Sequence, residues 1–322
     1  MPNSNASGDW TAPPGTRDHL GRPLDPKKLF YWPPPYEIGN VLFAETNAKR
    51  GASPSMFSSL AITLGAGVGV CLAVLAIMRS LVEKQAAGYL PIDQFVGVGL
   101  GFMAAIIALL CTWPRRPVCS YVADGGAAII KGRRGNPEPR DKKILIFAEM
   151  DALFTSITHI FSNGGYLRTA FDIQWRRSGE TSAAIRLQGE HRCKDAIPLD
   201  GDFSFAVRAQ KRWLESLIDR HGRSVPNDRA MVFPCRDSRI KEIRLHRDRV
   251  EFVYGQYVDS VAISDIGCLA MKDGEIQFDL NDPNWFSGQG TFRVEYSNLG
   301  NATLFLYYLS RLLQSSGKPQ TH

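Results

Sequence analysis

Hydrophobic and polar positions follow one pattern up to residue 114 and another beyond it. No charged residue occurs from Gly51 to Met78, and Met56–Met78 is an apolar stretch of 23 residues. A second charge-free run covers Gln94–Pro114. About 20 helical residues cross a hydrocarbon layer of ~30 Å. The pattern therefore predicts two membrane-spanning helices, 56–78 and 94–113. A buried helix of a water-exposed domain would keep a polar face, and neither run has one. The link Arg79–Asp93 has only 15 residues, so the two spans should form an antiparallel hairpin with both chain ends on one side. Lys49, Arg50, Arg115 and Arg116 flank the hairpin, and the positive-inside rule then places both termini in the cytoplasm of a multi-pass inner-membrane protein. Gly65 with Gly69 and Gly97 with Gly101 each leave a small-residue stripe. Such a stripe lets another backbone approach closely, within the chain or in a homo-oligomer, although glycine is also simply common in membrane helices.

After Pro117 the period shortens to two. Strands are expected at 118–123, 127–131, 144–148, 152–161, 166–175 and 181–187, punctuated by Asp124-Gly125-Gly126, Asn163-Gly164-Gly165 and Ser178-Gly179. A helix is expected from Phe203 to Arg220, with Asp202 as N-cap and Gly222 just past its end. Ala206, Ala209, Trp213 and Leu217 share one face of it, while Arg208, Lys211, Arg212 and Glu215 fall elsewhere. The plan then recurs: strands at 231–235, 240–246, 250–254, 258–264, 267–271, 275–280 and 291–296, and a helix from Asn301 to Gln314. Asp124–Lys131 leading to Ile144–Met150 parallels Arg247–Tyr254 leading to Val261–Ile266.

Six or seven antiparallel strands closed by a helix is the plan of a pleckstrin-homology-like (PH-like) fold. The motifs Tyr121-Val-Ala-Asp-Gly-Gly126, Ile144–His159 with its Asn163-Gly164 turn, and Asn298-Leu-Gly-Asn-Ala-Thr-Leu-Phe-Leu306 resemble those of uncharacterised bacterial membrane proteins with cytoplasmic PH-like domains. The resemblance covers residues 118–313. Where such families place a Trp-Asp or Trp-Glu corner, this chain has Phe147-Ala148-Glu149. The resemblance implies a fold and a membrane setting, and no catalytic residue. The fold class expected is α+β: a two-helix transmembrane hairpin followed by two tandem PH-like units, 118–222 and 228–315, each closed by a C-terminal helix.

Composition fills in the rest. Residues 1–55 hold nine of the 19 prolines and few aliphatics, so a mostly disordered tail is expected there. Its exception is Phe30-Tyr31-Trp32-Pro33-Pro34-Pro35-Tyr36, where large rings flank a stiff proline run. Six cysteines in 322 residues are too few for a disulfide scaffold. No Gly-x-Ser-x-Gly elbow occurs, and His191-Arg192-Cys193 has no second pair to complete a zinc site. No cofactor is expected. The net charge of +6, without a recognition helix or stacking platform, argues against nucleic acid. Arg133, Arg134, Arg140, Lys142 and Lys143 crowd one loop. The resemblance implies that such a loop faces anionic headgroups; an ordinary solvated loop, diluted by Glu138 and Asp141, is the other reading. These observations lead to a membrane-anchored, non-enzymatic interaction or scaffold module with an unknown protein partner. An anionic-phospholipid sensor working through the basic loop, and a hydrolase with a site not recognisable from sequence, are the alternatives.

Overall fold

The computed structural model describes residues 10–48 and 116–316, apart from 133–137, 178–179, 181, 195–196, 199–200, 238 and 285–288. The chain divides into two compact units, residues 48–117 and the remainder. The expected spans 56–78 and 94–113 lie outside the described residues.

The larger unit is a tandem repeat of antiparallel sheets. Its first repeat has a four-stranded sheet in the order β1 (Val41–Thr46), β2 (Val118–Ala123), β3 (Gly126–Lys131), β4 (Asp141–Ile146). A three-stranded sheet follows, β5 (Ala152–Ser162), β6 (Gly165–Arg176), β7 (Ile185–His191), and then helix α1 (Asp202–His221). The second repeat has β8 (Met231–Pro234), β9 (Ile240–Leu245), β10 (Arg249–Tyr254) and β11 (Val258–Ala262) in one sheet. It ends with β12 (Ile266–Lys272), β13 (Glu275–Asn284), β14 (Gln289–Glu295) and helix α2 (Ala302–Ser315). Four strands, three strands and a helix thus occur twice.

The repeats agree in detail. Each passes from its fourth to its fifth strand through a single 3-10 turn, Phe147–Glu149 or Ile263–Asp265. In each, the first residue of that turn donates its N–H to the earlier hairpin: Phe147 to the carbonyl of Gly125 at 2.9 Å, and Ile263 to that of Asp248 at 2.8 Å. A single core runs through both repeats, with Phe147, Trp175 and Trp213 at one end and Phe233, Phe252, Phe278 and Phe305 at the other. Trp213, on the inward face of α1, lies 5.8 Å from the ring of Phe147.

One residue ties the repeats together. Asn301, just before α2, adopts the left-handed region at φ 56°. Asn tolerates that conformation because its short side chain bonds locally. Here the side chain bonds across to the first repeat. Its Oδ1 accepts the backbone N–H of Leu153 at 2.9 Å and the Trp213 indole N–H at 3.2 Å, and its Nδ2 donates to the carbonyl of Asp151. Gly300 beside it must be glycine on spatial grounds: a Cβ there would sit 2.9 Å from Pro234 Cγ and 3.2 Å from Phe154 Cζ.

Several expectations are corrected. Among the described residues the protein is antiparallel sheet with two helices, and neither helix is long and apolar enough to cross a membrane. The transmembrane-hairpin fold class, and the multi-pass inner-membrane location with cytoplasmic termini that rested on it, therefore have no support in the structure and are set aside. The described part of the tail, residues 10–47, is folded into the first repeat. It supplies β1, and its rings cover the outer face of β2 and β3: Phe30, Trp32 and Ile38 pack against Cys119, Tyr121, Ala128 and Ile130. Trp10 stands edge-on to both Phe30 and Tyr121, at 5.1 and 5.2 Å. Large rings replace the aliphatics that the composition lacks, and each brings a large apolar area to a single contact. Asp202 opens α1 without capping it; Gly201 holds the cap position, and the Asp202 carboxylate faces Lys131 at 3.4 Å.

Candidate functional site

Among the described residues, a cationic cavity lies between the N-terminal segment, β1 and α1. Its construction starts at Asp18, whose Oδ1 accepts the backbone N–H groups of Leu20 and Arg22 at 2.9 and 2.8 Å, and whose Oδ2 accepts Arg22 Nε at 2.7 Å. Burial by itself would raise the Asp18 pKa, but these bonds and the Arg22 charge hold the carboxyl below its ordinary value. The resulting turn presents Arg17 to the free edge of β1. Arg17 donates its N–H to the Leu42 carbonyl at 3.1 Å and accepts that of Ala44 at 2.8 Å, a one-residue parallel bridge.

His19 then points inward. Its Nε2 lies 2.8 Å from Ser120 Oγ, and its ring is edge-on to Phe205 of α1 at 5.4 Å. Complete burial, with the Arg208 charge next in effect, pushes its pKa down to about 3, so the imidazole is neutral. The carbonyl of His19 accepts Arg208 Nε at 2.9 Å, and the Arg208 guanidinium lies 4.3 Å over the ring of Phe43. The segment 17–19 therefore fixes both the β1 edge and the first cation of α1.

Four α1 residues face the resulting space: Arg208, Lys211, Arg212 and Glu215. Their spacing of i, i+3, i+4, i+7 is one stripe of a helix, rotated away from the Ala206, Ala209, Trp213, Leu217 core stripe. Arg17, Leu42, Phe43 and Gly15 complete a cavity of about 280 Å³. The wall carries four cations and one carboxylate, and Glu215 is already engaged by Arg212 at 2.9 Å. An uncompensated positive field in a concave, partly apolar wall attracts an anion with an adjoining apolar group.

The residues singled out from sequence are placed differently. Arg140, Lys142 and Lys143 are exposed at the start of β4. Lys142 pairs with Ile130 and Lys143 with Ile129, so successive residues send the two lysines to opposite faces of the sheet. Among the described residues the basic loop does not form one patch. Arg133, Arg134, Gly65, Gly69, Gly97 and Gly101 lie outside the described residues. The cavity itself was half visible in sequence, because the basic stripe of α1 shows at helical spacing. Its other wall was hidden, since nothing local marks Arg17 and Phe43 as neighbours of a helix far along the chain.

Comparison with known proteins adds little. No protein-family profile matches the chain, and no curated protein matches it, so the bacterial membrane family it resembles gains no support. Among solved structures it is similar to one described as the Structure of the Spt16D Pob3N heterodimer, at 11% identity and a TM-score of 0.17. That match covers 56% of this chain and 89% of the other. The likeness is too low to bear on the fold, which rests on the strand order itself.

Proposed function

We propose that the protein is a non-enzymatic interaction module that takes an acidic segment of a protein partner into the cationic cavity of its first repeat. The observation that carries this reading is the wall itself: Arg17, Arg208, Lys211 and Arg212 against the single, already paired Glu215, with Leu42 and Phe43 beside them. Carboxylates of the partner would meet the guanidinium forks, and an adjoining apolar side chain would meet Leu42. One hydroxyl–imidazole contact that could pair a nucleophile with a base is His19–Ser120, at 2.8 Å. Both residues are buried, at 3% and 7% exposure, and the second imidazole nitrogen, Nδ1, has no partner to orient the ring. That favours binding over hydrolysis.

A labelled glutamate-rich peptide titrated against the full chain tests the proposal by fluorescence anisotropy. Binding should weaken as salt rises. Lys211→Glu, an exposed change on the cavity rim, should weaken it about tenfold or more, equivalent to ~1.4 kcal/mol. Lys241→Glu, on the exposed surface of the second repeat, should leave it unchanged. No binding at low salt, or equal losses in the two variants, would refute the proposal.

A further inference from the structure

On the outer face of the β5–β6–β7 sheet, two guanidinium groups from different repeats stand against one aromatic ring. Phe154 in β5 is opposite Gln174 in β6, with Ala152 opposite Arg176 and Ser156 opposite Asp172. The Arg176 guanidinium carbon lies 4.8 Å from the Phe154 ring centroid, and that of Arg236, just after β8 in the second repeat, lies 4.0 Å from it. Arg236 is held in place by its own N–H, which donates to the Asn298 carbonyl at 2.8 Å, and by Nη1, which donates to Gln174 Oε1 at 3.1 Å.

The charge here is not balanced. Asp172 is the nearest described carboxylate with bonds into this group, and Arg186 already occupies it with Nε at 2.9 Å and Nη2 at 2.7 Å. Gln174 Nε2 adds a third bond to Asp172 at 2.8 Å. Arg177 is likewise paired with Glu149 at 2.9 Å. Among the described residues neither Arg176 nor Arg236 forms an ion pair, and the Nε of each is buried without a hydrogen-bond partner. A buried donor left unmet is costly, and two adjacent unpaired cations are costlier still. Burial first, and the Arg176 charge second, hold the Arg236 pKa down to about 10, consistent with that crowding.

We infer that Arg176 and Arg236 form a binding site for a doubly charged oxyanion of the phosphate class at the seam between the two repeats. Two planar forks suit a tetrahedral dianion, which cancels both charges, whereas a carboxylate supplies only one. Phe154 forms the apolar wall between the forks, and the Asp172–Arg186 pair forms a neutral rim. The site shares no residue with the cationic cavity, so it stands or falls separately. The chemistry is common to inorganic phosphate and to a phosphate monoester, and the two are separable as probes.

The arginine Nε–H resonances of the full chain provide the test, titrated with inorganic phosphate, O-phosphoserine, acetate and sodium chloride at matched ionic strength. Phosphate or O-phosphoserine should shift the Arg176 and Arg236 signals together and saturably, leaving Arg168 unmoved. The tighter of the two names the source. Acetate should bind at least tenfold more weakly. Arg236→Lys keeps the charge and loses the fork, and should weaken phosphate binding at least tenfold while the remaining spectrum stays native. Should that variant lose its native spectrum, Arg176→Lys gives the same readout. The inference is overturned if neither phosphate probe shifts the two signals saturably, if acetate or chloride does so equally well, or if a folded lysine variant binds phosphate as tightly as the parent.

Discussion

The first sheets of the two repeats have the same strand order and opposite surfaces. In the second repeat, β8 to β11 alternate between core and solvent: Phe233, Ile243, Leu245, Val250 and Phe252 are buried, while Val232 and Val258 are half exposed at 53% and 50%. In the first repeat β2 and β3 are buried almost without a break, from Cys119 to Ala123 and from Gly126 to Ile130. The difference is what lies outside. An antiparallel sheet with one wet face alternates, and one covered on both faces reads as a continuous apolar run. Residues 10–38 supply the second cover here, and with it a wall of the cationic cavity. One repeat has thus kept the bare plan, and the other has gained a layer and a binding surface.

The contrast sets a large difference between two truncations. Trp32, part of that layer, is buried at 4% exposure, resting where a Cβ on Gly132 would collide with its ring. Trp32→Ala should cost ~3–5 kcal/mol, as for other buried aromatics. Val232→Ala, on the uncovered sheet, should stay within about 0.5 kcal/mol of the parent. Chemical denaturation of the two variants measures both, and similar values would break the comparison.

The joint between the repeats should respond next. Asn301→Ala strands the Leu153 N–H and the Trp213 indole N–H in the interior and disfavours the left-handed backbone, for a loss of ~2–3 kcal/mol. Asn301→Gly keeps the backbone but not the bonds, and should recover part of that loss. Unfolding should remain one cooperative transition in the parent, because the core is shared. Two separate transitions in the parent would show the repeats to be independent.

A smaller effect follows from His19, which burial holds neutral in the folded chain. Its folded pKa lies near 3 while an unfolded histidine titrates near 6.5, so below 6.5 the unfolded chain binds a proton that the folded chain does not. Stability therefore falls as pH drops from 6.5 toward 3, by ~2 kcal/mol between pH 8 and pH 5. His191 and His221, also lowered chiefly by burial, act with the same sign from more exposed positions. His19→Gln removes its own share and should flatten the curve relative to the parent. An unchanged slope would mean that His19 is accessible to solvent, and that the N-terminal layer is open.

The strands after residue 117 were legible because alternation and turn dipeptides are local signals. The expected 118–123 coincides with β2, and α1 extends the expected 203–220 by one residue at each end. β1 was not legible. Val41–Thr46 sits in a proline-rich segment and meets β2 only across residues 47–117, so its pairing partner is remote in sequence. The composition of β2 and β3 was the available clue, since Ala127–Ile130 is wholly apolar and Cys119–Ala123 carries no charge, with only Ser120 and the Tyr121 hydroxyl as polar groups. The same locality explains the basic cluster: closeness along the chain brought Lys142 and Lys143 together in sequence, and strand pleating separated them. The Arg176–Arg236 pair had no local signal at all, being formed by two repeats.

The claim that residues 10–47 belong to the first repeat is tested most directly by native-state hydrogen exchange at Ala44. Its amide donates to the Arg17 carbonyl at 2.8 Å, a bond that exists only if the N-terminal segment lies along the edge of β1. The account predicts protection of Ala44 comparable with that of the β2 amides, exchanging through the same opening. Exchange of Ala44 at the rate of an unstructured peptide, with β2 still protected, would contradict it.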